Sequence, residues 1–382
     1  MDDSVKVNLI DKIFLKKFRC IEYIGEGSFS YIYKAEYNNN YYAMKIEDIN
    51  NKQNLLSKET SMMIYLKGPN IPYIVTYGSS GGYNILTMQL LGDNLQTLFE
   101  KEDLLSIKTV CLLAYQMLSV LEHIHNKGVI HRDIKPENFL IGNGKESNSK
   151  SLYLIDFGCA KFFDKNSIND IITNKKNLTG TPRYSSINAM RGIEQSMRDD
   201  LESVGYLLIY LLKGKLPWMG IEERDLIEKN KKICVRKIET SSNNLCAGLP
   251  KEFVEYMDYC KNLEFGQKPD YTMLKNLFMK VIRNEKEKFD YFYDWDEPNK
   301  KNRKIIKNYG FNIKSSEIAD INIQTNEDNR PIGKQNINYN EILEKDKNKE
   351  EENKDNKENN NNNDNEQKND NNEQKKSGCI IY

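Results

Sequence analysis

Apolar side chains follow two different periods in the first quarter of the chain. Apolar and aromatic residues alternate with polar ones across residues 18–34, on both sides of a glycine-containing turn, which predicts two strands joined by that turn. In residues 53–66 the leucines and methionines recur at roughly helical spacing, which predicts a helix. The mostly apolar run 83–92 predicts a buried strand. The pattern therefore indicates a small sheet accompanied by one helix.

The periodic pattern of apolar residues is absent towards the C-terminus. Residues 344–376 contain no apolar side chain, so this segment cannot bury enough surface to offset its ordering entropy and is predicted to be disordered. Residues 296–343 are intermediate in composition and are predicted to be a linker. A basic cluster at 300–304 fits either a solvated linker or a patch for nuclear import or a partner.

Charge and cysteine content narrow the class of protein. The 56 Lys and Arg residues balance the 56 Asp and Glu residues, so net charge does not indicate a nucleic-acid partner. The seven cysteines are scattered without paired metal-type spacing, which favours free thiols in a reducing compartment. We expect neither a signal peptide nor an apolar run long enough to span a membrane. These features predict a cytoplasmic protein, with a nuclear pool left open.

Two short motifs carry the chemistry. Residues 131–138 read His-Arg-Asp-Ile-Lys-Pro-Glu-Asn, and residues 156–158 read Asp-Phe-Gly. In this order and at this distance they are typical of the catalytic loop and the metal-binding loop of a protein kinase. Phosphoryl transfer needs a carboxylate that orients the attacking hydroxyl, oxygen ligands for Mg²⁺ and a cation beside the moving phosphate. The residues predicted for these roles are, in turn, Asp133, then Asn138 with Asp156, and Lys135.

The N-terminal region carries the matching nucleotide-binding features. The turn at 25–30 reads Gly-Glu-Gly-Ser-Phe-Ser, and its glycines let backbone N–H groups approach phosphate oxygens. Lys45, in Tyr-Ala-Met-Lys, resembles the strand lysine that pairs with nucleotide phosphates. Glu59 is the only acidic residue of the predicted helix, so it is the expected ion-pair partner of Lys45. Together with these two, the predicted ATP-binding residues are Ile24, Gly25, Glu26, Gly27, Ser28, Phe29, Ile32, Ala43, Met88, Gln89, Leu90, Leu91 and Leu140.

The kinase resemblance implies an α+β, bilobal fold. A small β-rich lobe with one main helix is expected at about 18–88, and a larger, mostly helical lobe at about 92–295. The remaining predicted parts are an N-terminal extension at 1–17, the linker at 296–343 and the disordered tail at 344–382. ATP and Mg²⁺ are the implied cofactors.

Motifs further along the chain indicate which kind of protein kinase the sequence resembles. Lys135 follows Asp133 at the second position, which resembles the serine/threonine pattern of kinases. Further on, Ser-Ile-Asn at 186–188 and Arg-Asp-Asp-Leu-Glu-Ser at 198–203 closely resemble the casein kinase 1 family over roughly 18–295. The resemblance implies constitutive serine/threonine kinase activity on protein substrates that carry an acidic or phosphorylated residue shortly before the target. The oligomeric state is left open, with a monomer favoured.

The same resemblance assigns roles to several further residues. The Thr181 hydroxyl is expected to bridge Asp133 and Lys135. A substrate-phosphate pocket is implied at Lys176, Arg183 and Lys229, which suits the geometry of Arg and the point charge of Lys. Asp200, which opens a predicted helix, is expected to hold the catalytic-loop backbone.

The last four residues, Cys379-Ile-Ile-Tyr, have the format of a prenylation signal, although a final Tyr is outside the usual choices. Cys379 is therefore a candidate for lipidation and partial membrane association, and an ordinary frayed end is the alternative.

Two other functions for the whole protein stay open at this point. One is a pseudokinase scaffold, and the other is a protein whose tail is the functional part and whose kinase is a tether.

Overall fold

In a computed structural model, the described residues are 8–27, 30–51, 53–144, 149–164 and 178–296. All of them belong to one compact unit. The predicted site residues Ser28, Phe29, Lys176 and Cys379 lie outside the described residues, as does the chain beyond residue 296.

Six strands form one antiparallel sheet, in the order β1-β2-β3-β4-β6-β5. Their bounds are Ile13–Phe14 (β1), Phe18–Gly27 (β2), Ser30–Tyr37 (β3), Asn40–Asp48 (β4), Ile74–Ser80 (β5) and Tyr83–Gln89 (β6). The alternating pattern at 18–34 and the apolar run at 83–92 are thus confirmed as strands. The helix predicted at 53–66 is α1, Leu55–Leu66.

The register of the sheet separates two apolar cores. Ala43 lies directly opposite Met88, and Lys45 lies opposite Leu86, so these four side chains share one face of the sheet. Ala43, Leu86 and Met88 belong to the core shared with α1 and the large lobe. The residues that alternate with them along the strands, such as Met44, pack in a separate cluster on the opposite face.

Residues 8–17, predicted as an N-terminal extension, are part of the small lobe. β1 pairs with β2 through Phe14 and Phe18, and the backbone N–H of Asp11 donates to Cys20 O over 2.8 Å. Leu9 and Phe14 are buried in the cluster on the outer face of the sheet. Burial of these two isolated apolar side chains explains why a segment without a clear period joins the fold.

The large lobe is mostly helical, as predicted. Its helices are Leu95–Glu102 (α2), Ile107–Asn126 (α3), Ile187–Met190 (α4), Met197–Lys213 (α5), Leu226–Glu239 (α6), Ser242–Leu245 (α7), Lys251–Asn262 (α8) and Tyr271–Asn284 (α9). Two short antiparallel pairs complete it: Val129–Ile130 (β7) with Lys161–Phe162 (β10), and Phe139–Ile141 (β8) with Leu152–Leu154 (β9).

Helix α3 corrects one expectation from the sequence. Its 20 residues are long and apolar enough to cross a membrane, by length and composition, so the expected absence of such a run was wrong. In the fold, 67% of the apolar window is buried, and α3 packs within the core of the large lobe. Its apolar character is explained by this central position.

The segment after α9 returns to the start of α3. The Asp294 carboxylate accepts hydrogen bonds from the backbone N–H and the hydroxyl of Ser106, both over 2.7 Å. The Asp294 N–H donates to the Thr109 hydroxyl over 3.0 Å. These contacts fix residues near 294 on the large lobe.

Candidate active site

The catalytic-loop carboxylate of Asp133 is held through both of its oxygens. The Lys135 ammonium donates to Oδ2 over 2.6 Å, and the Thr181 hydroxyl donates to Oδ1 over 2.9 Å. The expected bridge from Thr181 directly to Lys135 is not formed between these described side chains. The carboxylate itself joins them, because its two oxygens can each accept a separate donor.

The backbone around Asp133 is equally constrained. The Asn138 side-chain amide donates to the Asp133 carbonyl over 2.8 Å, and the Asp133 N–H donates to His131 Nδ1 over 3.3 Å. Since residues 136–138 form a short 3₁₀ turn, Asn138 comes back to the loop that it follows. The loop thus presents one carboxylate in a fixed orientation.

Asp200, in the first turn of α5, supports this loop from beneath. Its carboxylate accepts from the backbone N–H groups of His131 over 2.7 Å and Arg132 over 2.8 Å, as predicted from the sequence. His125 Nε2 lies 2.8 Å from the same carboxylate. Although burial alone would raise it, the pKa of Asp200 is lowered because His125 and the loop N–H groups stabilise its charge. Arg132 has a left-handed φ of 70°, a strained conformation that these bonds stabilise.

Asp156 stands beside Asn138 and has a left-handed φ of 63°. The Ile155 N–H donates to the Asn138 carbonyl over 3.0 Å, which brings the two predicted metal ligands together. Burial opposes ionisation of Asp156, but Lys45 and other cations hold its pKa below the ordinary value. The Asn138 amide nitrogen is used by Asp133, so its oxygen is left for a cation. An ionised carboxylate and an amide oxygen fit Mg²⁺.

Lys45 forms the ion pair predicted with Glu59. Its ammonium lies 2.6 Å from Glu59 Oε2 and 3.3 Å from Asp156 Oδ1. Burial would lower the pKa of Lys45, but the two carboxylates outweigh it and the pKa is raised. The Phe157 N–H also bonds Glu59, so α1, β4 and the Asp-Phe-Gly turn meet at one carboxylate.

The nucleotide side of the small lobe is defined by the sheet register. Ile32 lies opposite Lys45 on β3, so Ile32, Ala43 and Lys45 face the same way. Gly27 lies over this lysine, because a Cβ there would be 3.0 Å from Ser30 Oγ and 3.9 Å from Lys45 Cε. Among the other described members of the predicted ATP set, Ile24, Gly25 and Glu26 lie on β2, and Leu140 lies on β8. Ile24 is 43% exposed.

The place of Gln89 in the hinge that binds adenine stays a prediction. Gln89 follows Met88 as the last residue of β6 and lies opposite Tyr42. It lines a cavity of about 620 Å³ together with Tyr73 and Tyr153, and its N–H donates to Tyr73 O over 3.0 Å. Leu90 and Leu91, which follow, are half-buried.

A second cavity, of about 1110 Å³, lies beside the catalytic loop. Arg183 and Lys229, the described members of the predicted phosphate pocket, both line it, as does Gly220. The Arg183 guanidinium lies 5.8 Å from the centre of the Tyr184 ring. Acidic side chains share the lining: Glu137, Glu222 and Glu223. The structure therefore brings two predicted cations to one concave surface.

Sequence reasoning missed the side chains that hold this surface in place. Trp218 Nε1 donates to the Arg183 carbonyl over 2.8 Å, and the Lys237 ammonium donates to Pro182 O over 2.9 Å. One sequence signal could have pointed to Lys237: it follows Lys229 by eight residues, about two turns of α6, so both lie on the same face of that helix.

The site combines an oriented carboxylate with an adjacent cation, two oxygen ligands for a metal ion and an ion-paired lysine. These groups suit the transfer of a phosphoryl group to a hydroxyl.

The six cysteines in the described part of the chain are free thiols. In a comparison with protein families, residues 18–278 match the family model described as "Protein kinase domain".

Proposed function

The chain belongs to the protein kinase family, since the matched region exceeds half of its length, and we propose that it is a serine/threonine kinase of the casein kinase 1 type. Protein kinase domains use ATP and Mg²⁺ and act on protein substrates. The proposed substrates carry an acidic or phosphorylated residue shortly before the target Ser or Thr. The arrangement of Lys135 and Thr181 on the two oxygens of Asp133 is the observation that carries the proposal.

The roles follow from the contacts. Asp133 is the base that orients the substrate hydroxyl, and Lys135 stabilises charge on the transferred phosphoryl group. The hydroxyl of Thr181 fixes the carboxylate and belongs to the segment that lines the substrate cavity. The Thr181 contact thus couples the catalytic base to the surface proposed to bind the peptide.

Preference for primed substrates is supported by the cavity at Arg183 and Lys229. Among the described residues, neither side chain forms an ion pair with a carboxylate, so both cations are available to an incoming phosphate. A guanidinium donates in a planar fork to phosphate oxygens, and an ammonium adds a point charge. Lys176, the third predicted cation, lies outside the described residues.

A pseudokinase scaffold is the weaker reading, because the groups that a pseudokinase lacks are present and in contact. Lys45 is paired with Glu59, and Asp156 is ionised beside Asn138. For location, we propose the cytoplasm with partial membrane association through Cys379, and a monomeric state.

Kinetics on a matched set of peptides test the proposal. The peptides share one sequence, carry Ser, Thr or Tyr as the acceptor, and have either phosphoserine or alanine three residues before it. We expect phosphorylation of the Ser and Thr peptides and a preference for the primed form. Changing Arg183 and Lys229 together to Ala should reduce kcat/KM on primed peptides by more than about tenfold, because each charge-assisted contact is typically worth about 1.5–3 kcal/mol.

Lys231→Ala is the matched control, because Lys231 is an exposed cation on the same helix, paired with Glu228 over 2.6 Å, and it does not line the cavity. It should leave both peptides unaffected. Equal losses on primed and unprimed peptides in the double variant would contradict the phosphate pocket. Phosphorylation confined to the Tyr peptide would contradict the Ser/Thr assignment.

A further inference from the structure

A fully buried lysine lies directly beneath the substrate cavity. Lys237, on α6, is only 1% exposed. Its ammonium lies beside two aromatic rings that pack on each other, 4.7 Å from the centre of the Tyr206 ring and 4.8 Å from that of Trp218. The phosphoryl-transfer site described above makes no use of it, and burying a cation is costly unless its surroundings compensate.

The compensation comes from the backbone of the segment that carries Arg183. The Lys237 ammonium donates to the Pro182 carbonyl over 2.9 Å and also to the Ser185 carbonyl. Trp218 Nε1 donates to the carbonyl between them, that of Arg183, over 2.8 Å. Three carbonyls of one four-residue stretch are thus bound from the same side.

No carboxylate provides a direct counter-ion for Lys237 among the described residues. Glu202 attracts it at longer range, but Glu202 Oε1 accepts from the Ile187 N–H over 3.0 Å and from the Tyr206 hydroxyl over 2.6 Å. Burial lowers the pKa of Lys237 to about 7, and Glu202 and Cys234 oppose this. The main polar partners of the ammonium are therefore the two carbonyls.

Helix α6 connects this contact to the cavity surface. Lys229, Ile233 and Lys237 are spaced by four residues, so they lie along one face of the helix. Lys229 and Ile233 line the cavity, and Lys237 reaches the segment on its far side. One helix face thus supplies one cation directly and fixes the backbone of the residue that supplies the other.

We propose that Lys237 is a positioning residue for substrate recognition, which holds the backbone at 182–185 so that the Arg183 guanidinium faces the cavity. The inference rests on the proposed role of Arg183 in binding the substrate. It assigns Lys237 no contact with the substrate, ATP or the reacting atoms. Its effect should therefore appear in peptide binding and depend on Arg183.

The first test compares Lys237→Met with wild type in the full-length protein. Met fills a similar volume but cannot donate to the carbonyls. We expect KM for the best peptide to rise about tenfold or more, as loss of the hydrogen bonds to two buried carbonyls predicts. KM for ATP should stay within about twofold, because Lys237 contacts no nucleotide-binding residue. Lys237→Arg, which keeps donors, should restore part of the peptide affinity.

Lys213→Met is the control for a merely structural role. Lys213 is also a buried lysine, 8% exposed, and it donates to a backbone carbonyl, that of Leu245, over 2.8 Å. It does not line the substrate cavity. Lys213→Met should lower Tm without changing KM for the peptide. Equal changes in peptide KM for both variants would overturn the proposal.

The decisive arm is a double-mutant cycle with Arg183→Ala. If Lys237 acts through Arg183, the effect of Lys237→Met on peptide KM should largely vanish in the Arg183→Ala background. An effect of full size in that background would overturn the proposal. If the proposed function is wrong, wild type will not prefer primed peptides. The double-mutant cycle is then measured with the peptide that wild type phosphorylates best.

Trp218→Phe serves the same purpose if Lys237→Met does not fold. It keeps an aromatic ring beside Lys237 but removes the donor to the Arg183 carbonyl. We expect a smaller rise in peptide KM with KM for ATP unchanged, and again no further effect in the Arg183→Ala background. An unchanged peptide KM in a folded Trp218→Phe protein would overturn the proposal.

Discussion

At the scale of single residues, the buried charges of this kinase are matched by specific partners. Asp200 binds two loop N–H groups, and Lys45 binds two carboxylates. The motif residues could be predicted because they are close together in sequence and their types fit the chemistry. The atom that Thr181 contacts could not be, since it depends on how a distant segment returns to the loop.

Lys237 gives a pH dependence of stability at this scale. Its pKa is about 7 in the folded protein and 10.5 ordinarily. Between these values the unfolded chain holds a proton that the folded chain has lost, so the free energy of unfolding rises with pH, by about 1.4 kcal/mol per pH unit from this group. Chemical unfolding at pH 7 and pH 9 should show wild type gaining stability relative to Lys237→Met. A difference that does not change with pH would mean that this lysine keeps an ordinary pKa.

At the scale of elements, the position of α1 is fixed at its C-terminal end by the large lobe. His123 Nε2, near the end of α3, lies 2.7 Å from Leu66 O. The ring also covers Gly68, where a Cβ would lie 2.4 Å from His123 Cε1. This contact joins the helix that carries Glu59 to the core of the large lobe. It could not be predicted from sequence, because the two residues are far apart in the chain.

Gly68→Ala tests this anchor. The added methyl group must displace the His123 ring and break its bond to Leu66, so we expect a loss of stability of about 1–3 kcal/mol and a rise in KM for ATP, because α1 carries the partner of Lys45. Thermal unfolding and ATP titration measure the two effects.

The control for Gly68→Ala is its combination with His123→Ala, which removes the ring that the methyl group meets. The double variant should be more stable than the sum of the two single losses predicts. Strictly additive losses would show that the glycine is needed for another reason.

Elements also show where prediction from sequence ends. The strands at 18–34 and 83–92 followed from local alternation, which is set by residues next to one another. The cavity that Gln89 lines was not foreseen, because its walls come from segments that are far apart in the chain. Residues 8–17 carry only Leu9 and Phe14 as buried anchors, too few for a recognisable period.

At the scale of the whole molecule, the two lobes meet in an arrangement that already has its catalytic contacts. The Lys45–Glu59 pair and the Asp133 contacts are both formed. The matched kinase region and the bilobal fold agree with the expectation from the sequence motifs. The substrate cavity could be predicted only as a set of cations, because its walls come from segments far apart in the chain.

This arrangement predicts activity without an upstream kinase. Protein made in bacteria and treated with phosphatase should phosphorylate casein at a rate close to that of untreated protein, because the proposed casein kinase 1 type implies constitutive activity. Activity that appears only after incubation with a second kinase would contradict this.

The C-terminus gives a second prediction for the whole molecule. If Cys379 is prenylated, Cys379→Ser should move the protein from the membrane fraction to the soluble fraction without changing peptide kinetics. One lipid binds weakly, so wild type should itself divide between the fractions. The mass of the C-terminal peptide from cells is the check, and an unmodified peptide that ends in Tyr382 would rule prenylation out.

The central claim is that Asp133 is the base of a phosphoryl-transfer reaction, and one variant tests it most directly. Asp133→Asn removes the base but leaves Lys45, Glu59 and Asp156 in place. We expect kcat on casein to fall by at least about a hundredfold, within the range for loss of a general base, while the Kd for Mg²⁺–ATP stays within about twofold of wild type. Phosphorylation of casein by purified Asp133→Asn at the wild-type rate would contradict the account.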